Sequence, residues 1–176
     1  QLLIQGGSVV ESIVMNDLAA QMTTKVEVAA FATLVAALTA DETVISAAVI
    51  QGLIGDLITA KVSLDKVAMI ANGLGHGKIV GLADVSAVSA AVTGNTAFGR
   101  PYYASGNLAD GAGADTGTLI MGDFSHLKIG YWGGVDFIVN PYSLDTQQQV
   151  RISIHRHYDT AVTNAAAFVL RQDQSA

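Results

Sequence analysis

From Ser8 to Leu38 the chain contains neither glycine nor proline. No other stretch limits its folding as much. Ser8-Val-Val-Glu11 opens the run with a capping box, in which the Ser hydroxyl accepts from the third backbone N–H and Glu11 reaches back. The run predicts one helix of about 30 residues, roughly 45 Å long, against a usual length of about 11 to 12 residues. Val10, Val14, Leu18, Met22 and Val26 form an i+4 row, with Asn16, Thr23 and Glu27 away from it. Beyond Val28 the run is apolar on nearly every side, which predicts burial all round. A helix exposed in its first half and enclosed in its second reads as a backbone for other elements.

Thr39-Ala-Asp-Glu42 repeats the capping box, so a second helix is expected to start there. Ile50, Leu53, Ile54, Leu57 and Ile58 give it an apolar stripe. Gly52 and Gly55 each cost about 1 kcal/mol relative to Ala, which suggests close packing or a frayed end. Lys66–Ala71 reads as a short buried strand, followed by a glycine turn and a helix over 82–92. Arg100–Ala104 reads as a strand. Ser105–Gly117 is rich in Gly, Ala and Asp and reads as a mobile exposed loop. Strands follow at 118–121 and 127–132. Those at 134–140 and 149–157 should pair as an antiparallel hairpin with a long tip. In them Val135, Phe137 and Val139 share one face, and Val150, Ile152 and Ile154 should face a core.

The chain has 176 residues, enough for one domain or two small interwoven ones. Hydrophobic residues make up 51% and charged residues 14%, with a mean hydropathy of +0.42. Such a composition predicts apolar surface covered by other subunits. A net charge of −6 without a basic block argues against a groove that tracks phosphates. There is no cysteine, so disulfides and thiolate metal sites are excluded. No apolar run reaches membrane-spanning length. The first residue is Gln1, not Met, and a helix follows almost at once, which reads as a fragment or processed product with a segment missing upstream.

Several constellations invite chemistry and fall short of it. Asn72-Gly-Leu-Gly-His-Gly-Lys78 lies where a phosphate loop belongs, after a strand. The dinucleotide pattern needs Gly where Lys78 stands, and a Walker loop needs Gly at Asn72 and Ser or Thr at Ile79. A nucleotide-binding enzyme using Gly73–Lys78 is therefore a distant alternative. His155 and His157 share a strand face with Asp159 nearby, but no fourth metal ligand is evident. Ser125 and His126, adjacent in an extended segment, face apart and make no triad. Asp110 and Asp115 lie in a loop, whereas paired-carboxylate catalysis needs a rigid site. No catalytic residue, cofactor or metal site is expected.

The run QLLIQGGSVVESIVMNDLAAQMTTKVEVAAF resembles the start of the spine helix of tailed-phage major capsid proteins of the Hong Kong-97-like family. FGRPYYASGNL, GDFSHLKIGYWGGVDFIVNPY and QVRISIHRHYDTAVTNAAAFVL resemble that family's C-terminal half, in the same order. The family pattern falls on Gly122, Asp123, Phe124, Ser125, Ile129, Gly130, Trp132, Gly133, Gly134, Pro141, Tyr142, Asp159, Ala167 and Phe168. The chain departs from it at Asn72-Gly73, where the family often has Asn-Pro.

The resemblance implies an α+β capsid fold: a spine helix, a β-hairpin, and a mixed sheet flanked by helices. It implies a peripheral subdomain of residues 1–39 and 133–163 and an axial one of 40–132 and 164–176. The family's N-terminal arm and extended loop would be absent, so the chain alone is expected to be monomeric or to form loose rings. Ser105, Asn107, Asp110 and Asp115 would stand on a loop near a capsomer axis. The implied function is the shell subunit of a tailed phage or prophage, forming pentamers and hexamers of a head that encloses dsDNA without binding it specifically. Portal, and scaffold or protease, would be further partners during assembly, with no membrane. The chain would sit in the virion, and in the host cytoplasm during assembly. An encapsulin-type nanocompartment shell is the alternative closest in fold.

Overall fold

A computed structural model describes residues 7–82, 92–93, 95–111, 116–140, 142–143, 147 and 150–173. The chain forms two compact units. One comprises Gln1–Glu27 and Ile129–Asp159; the other comprises Val28–Lys128 and Thr160–Ala176.

Helix α1 runs unbroken over Gly7–Ala36, 30 residues, as the absence of Gly and Pro requires. Its i+4 row is half-buried at Val14, Leu18 and Met22 and fully buried at Val26. The side chains of the capping box lie outside the described residues. The later half is not enclosed all round. Ala30, Phe31 and Leu34 are buried on one stripe, whereas Val28, Ala32 and Ala36 are exposed. One covering layer suffices for a 100°-wide stripe, however apolar the remaining faces are.

The second capping box does not open a helix. Ala40–Asp41 forms strand β1, paired in parallel with Leu170 and Arg171. The Asp41 carboxylate accepts from the Thr43 N–H at 3.1 Å and pairs with Arg171. Partial burial would raise this carboxyl, but the Thr43 hydroxyl and N–H, with the Arg171 guanidinium, outweigh it and hold it below its ordinary value. Helix α2 starts later, at Ala47–Thr59, where the Ser46 hydroxyl accepts from the Val49 N–H. Its buried stripe is Ile50, Leu53 and Leu57, with Ile58 exposed. Gly52 and Gly55 are exposed, and a Cβ at either would meet nothing within 4 Å, so close packing does not account for them.

The larger unit is built on a mixed sheet. Its strands are β1, β2 (Val67–Ala71), β3 (Val92–Thr93), β4 (Thr96–Ala97), β5 (Arg100–Ala104), β6 (Gly117–Asp123) and β9 (Phe168–Asp173), in the order β1-β9-β6-β2-β5-β4-β3. Only β1/β9 and β2/β5 run parallel; the remaining pairs are antiparallel. All seven positions of β6 are buried, since layers cover both faces. Leu119 and Met121 join Met69, Ile50 and Leu57 on one face, and Ile120 joins Phe31, Leu34, Phe168 and Leu170 on the other. Between β4 and β5 the two-residue turn Phe98-Gly99 has positive φ at both positions, 50° and 72°. That conformation matches the twist of a tight hairpin.

The glycine segment is a helix, not a turn: α3 covers Gly73–Val80. Its glycines permit close approach. A Cβ on Gly75 would stand 2.6 Å from the Thr118 carbonyl oxygen, and one on Gly117 would stand 2.9 Å from the Gly75 Cα. The helix expected over 82–92 falls mostly outside the described residues, and its last position belongs to β3.

The two expected strands over 127–132 and 134–140 are one, β7 (Leu127–Asn140), with Gly133 at φ +66°. It pairs with β8 (Arg151–Val162) in a two-stranded sheet of its own. The expected alternation of burial is absent from β7, where Val135, Ile138 and Val139 are all exposed; in β8 it holds from Ile154 to Val162, where half-buried and exposed positions alternate, with His155 and His157 exposed, although Val150 is exposed and no position of β8 is fully buried. A two-stranded ribbon buries little by itself; α1 lies beside β8 at Ser153–His155, while β7 stays exposed.

Candidate assembly site

Within the larger unit, the segment after β5 is more constrained than its composition suggests. The Ser105 N–H donates to the Ala71 carbonyl at 2.9 Å, and the Ser105 hydroxyl accepts from the Asn107 N–H at 3.2 Å. Leu108, 2% exposed, enters the core beside Phe31 and Ile120. The Asp110 carboxylate accepts from the Asn72 carboxamide at 2.6 Å. Residues 105–111 are thus pinned at both ends, whatever the Gly/Ala/Asp content implies. Ser105, Asn107 and Asp110 lie together here; Asp115 falls outside the described residues.

Asn72 is the residue that sequence reasoning missed. It is 1% exposed. Its Oδ1 accepts from the N–H groups of Gly75 at 2.7 Å and Thr118 at 2.9 Å, and its Nδ2 donates to Asp110 and to the Thr116 carbonyl. That uses the two acceptor and two donor places a carboxamide has. The available signal was a helix N-cap, Asn followed by a short run ending in an apolar pair. It was masked by reading three nearby glycines as a turn.

Lys78, the residue a phosphate loop would aim at its ligand, is engaged elsewhere. Its ammonium lies 3.0 Å from the buried Asp173 carboxylate, whose same oxygen accepts from the Ile45 N–H at 3.0 Å. Close packing of α3 on β6 explains Gly75, though not Gly73 or Gly77, where a Cβ would meet nothing within 4 Å, and an ion pair explains the lysine. Among the described residues no group of three or more His, Asp or Glu side chains could hold a metal, and no helix is long and apolar enough to cross a membrane.

The Gly122-Asp123-Phe124-Ser125 corner follows from contact distances. A Cβ on Gly122 would fall 2.4 Å from the Ala167 carbonyl oxygen and 2.5 Å from the Phe168 ring. Asp123 caps the short 3-10 turn Phe124–His126 by accepting from the Ser125 N–H at 2.9 Å. Burial would raise the Asp123 carboxyl; hydrogen bonds from Ser125, with His126 and Lys66 nearby, overcome this and lower it. The Phe124 and Phe168 rings meet edge to face at 5.4 Å. The two ends of this half of the chain lock at that corner.

In the smaller unit, β7 exposes Ile129, Tyr131, Trp132, Val135, Ile138 and Val139, with Trp132 at 56% and Ile138 at 50%. The Arg156 guanidinium stacks 3.7 Å above the Tyr131 ring. Leu18, Met22 and Ile154 line a groove of about 280 Å³ between α1 and β8, rimmed by Lys25 and His155. So much apolar surface on a thin ribbon is what a contact between subunits requires.

The sequence profile of the phage capsid family matches residues 1–173. The chain belongs to the phage capsid family. Solved structures agree on the fold. A chain from Gordonia phage Cozz is 16% identical with a TM-score of 0.70, covering 99% of this capsid chain and 67% of its own. One from Mycobacterium phage Che8 is 18% identical with a TM-score of 0.66, covering 90% and 61%. A virus-like particle from Pyrococcus furiosus gives 13% identity and a TM-score of 0.55, covering 85% and 63%. The capsid chain thus spans 61 to 67% of the length of these relatives. No curated protein matches it in sequence. The family is one of structural proteins, and the chain shares the Hong Kong-97-like fold of these phage structures.

Proposed function

We propose that the chain is the repeating wall subunit of a tailed-phage or prophage head, arranged in pentamers and hexamers around dsDNA. The observation that carries this reading is the single unbroken α1 together with an exposed apolar ribbon, in a fold shared over 99% of the chain with a phage structure. In this reading residues 1–39 and 133–163 are the peripheral subdomain, and 40–132 and 164–176 the axial one. Ser105, Asn107 and Asp110 approach the capsomer axis, where the family resemblance also puts Asp115. The acidic balance of the chain limits adhesion to packaged DNA, which it encloses without specific contacts. Portal, scaffold and a maturation protease act with it during assembly in the host cytoplasm.

The similarity to the Pyrococcus furiosus particle supports a second reading, a nanocompartment shell of the encapsulin type. The test is to purify particles from cells that make this chain and identify their most abundant protein by mass spectrometry. Nuclease-protected dsDNA inside particles built mainly of this chain supports the phage head. Particles of this chain that hold protein and no DNA favour the nanocompartment. Particles that lack the chain contradict both.

A further inference from the structure

We infer that the Asn72 carboxamide and the Asp110 carboxylate form a latch that sets the pose of residues 109–111 and can open without disturbing the sheet. Asn72 faces two ways. Its Oδ1 serves the fixed framework, holding the N–H of Gly75 in α3 and of Thr118 in β6. Its Nδ2 serves the segment, donating to Asp110 at 2.6 Å and to the Thr116 carbonyl at 3.5 Å. The framework half is buried, whereas Asp110 is exposed and accepts from outside the core. The segment has a separate apolar anchor two residues earlier, Leu108.

Just beyond Asp110 the chain passes so near Thr116 and Gln172 that a Cβ on Gly111 would stand 2.3 Å and 3.1 Å from their side chains. The Asp110 hydrogen bond delivers Gly111 into that gap. Releasing it frees residues 109–111 while Leu108 keeps the earlier part docked. Because these residues belong to the segment placed above at the capsomer axis, the latch would set an inter-subunit contact; that consequence rests on the proposed function, the latch itself on geometry alone.

Backbone dynamics of the isolated chain test the latch, read as 15N-relaxation order parameters. Asn72→Asp keeps both acceptor contacts but removes the donor and sets two carboxylates face to face. Asp110→Ala removes the acceptor and leaves the contacts of Asn72 with Gly75 and Thr118, so it reads the latch even if Asn72→Asp does not fold. In both, the order parameters at 109–111 should fall into the flexible range, below about 0.6, while the hydrogen-bonded Gly75 and Thr118 amides stay protected from exchange. The double variant Asn72→Asp/Asp110→Asn reverses donor and acceptor and should restore order at 109–111. Unchanged order parameters at 109–111 in Asp110→Ala overturn the latch, as does loss of Thr118 protection in step with their fall. Ring formation by Asp110→Ala is a separate reading: looser residues 109–111 with normal rings keep the latch and remove the axial placement.

Discussion

Gly75 of α3 and Gly117 of β6 touch backbone to backbone: a Cβ on Gly117 would lie 2.9 Å from the Gly75 Cα and 3.0 Å from its nitrogen. Helix and strand approach this closely only because neither carries a side chain there. Gly75→Ala and Gly117→Ala should each destabilise by about 1 to 3 kcal/mol, the cost of overpacking a dense interior. Urea unfolding of the two variants checks this, and an unchanged midpoint in both would show the approach to be looser than described.

Gly52 makes the opposite prediction. It sits exposed inside α2 with open space where a Cβ would go. Gly52→Ala should stabilise the isolated chain by about 0.5 to 1 kcal/mol through helix propensity. A higher thermal midpoint is the expected result.

Asp41 and Asp123 both have lowered carboxyl values from an ordinary 3.8. Each therefore contributes stability that is complete above pH 3.8 and is lost as pH falls through the lowered folded value. Asp123→Asn keeps an N-cap side chain but has no carboxyl to titrate. Its stability at neutral pH should fall by about that one carboxyl's linkage, and its further loss between pH 4 and 2 should be shallower than in the unsubstituted chain, as read from urea midpoints across that range.

Burial pushes the Tyr102 hydroxyl up to about 12. Its ring stacks on His76, and the hydroxyl lies 2.7 Å from His76 Nδ1. The group is neutral in the fold, so its contribution is full below pH 10 and is lost as pH rises through about 12. Of the five tyrosines, one should titrate at about 12 by tyrosinate absorbance, and Tyr102→Phe should remove that step.

How much of this was legible in the sequence depends on the range of the interactions involved. The extent of α1 was, because the absence of Gly and Pro is a local fact. So were β2, β5 and the corner at Gly122, where residue type and spacing match the observed contacts. Helix α3 was hidden because three glycines in six residues read locally as a turn; what fixes it as a helix is the Asn72 cap and the packing of Gly75 on Gly117 and Thr118 far along the chain. The box at Thr39–Glu42 misled for the same reason, since pairing with Leu170 and Arg171 draws Ala40 and Asp41 into the sheet. The ribbon failed in another way. Alternation in β7 and β8 predicts a buried face, but periodicity does not say whether the covering layer belongs to the same chain. At the candidate site, the loop residues were proposed from the family resemblance, while Asn72, which holds Asp110, was seen only as a departure from the family pattern.

A side-chain-resolution electron cryomicroscopy reconstruction of particles from cells that make this chain tests the central claim, that the protein works by tiling a closed wall. The account predicts copies of the chain repeated in five- and sixfold rings, with Trp132 and Ile138 covered by neighbouring copies. A wall without this chain, or copies whose β7 ribbon still faces solvent on both sides, would contradict it.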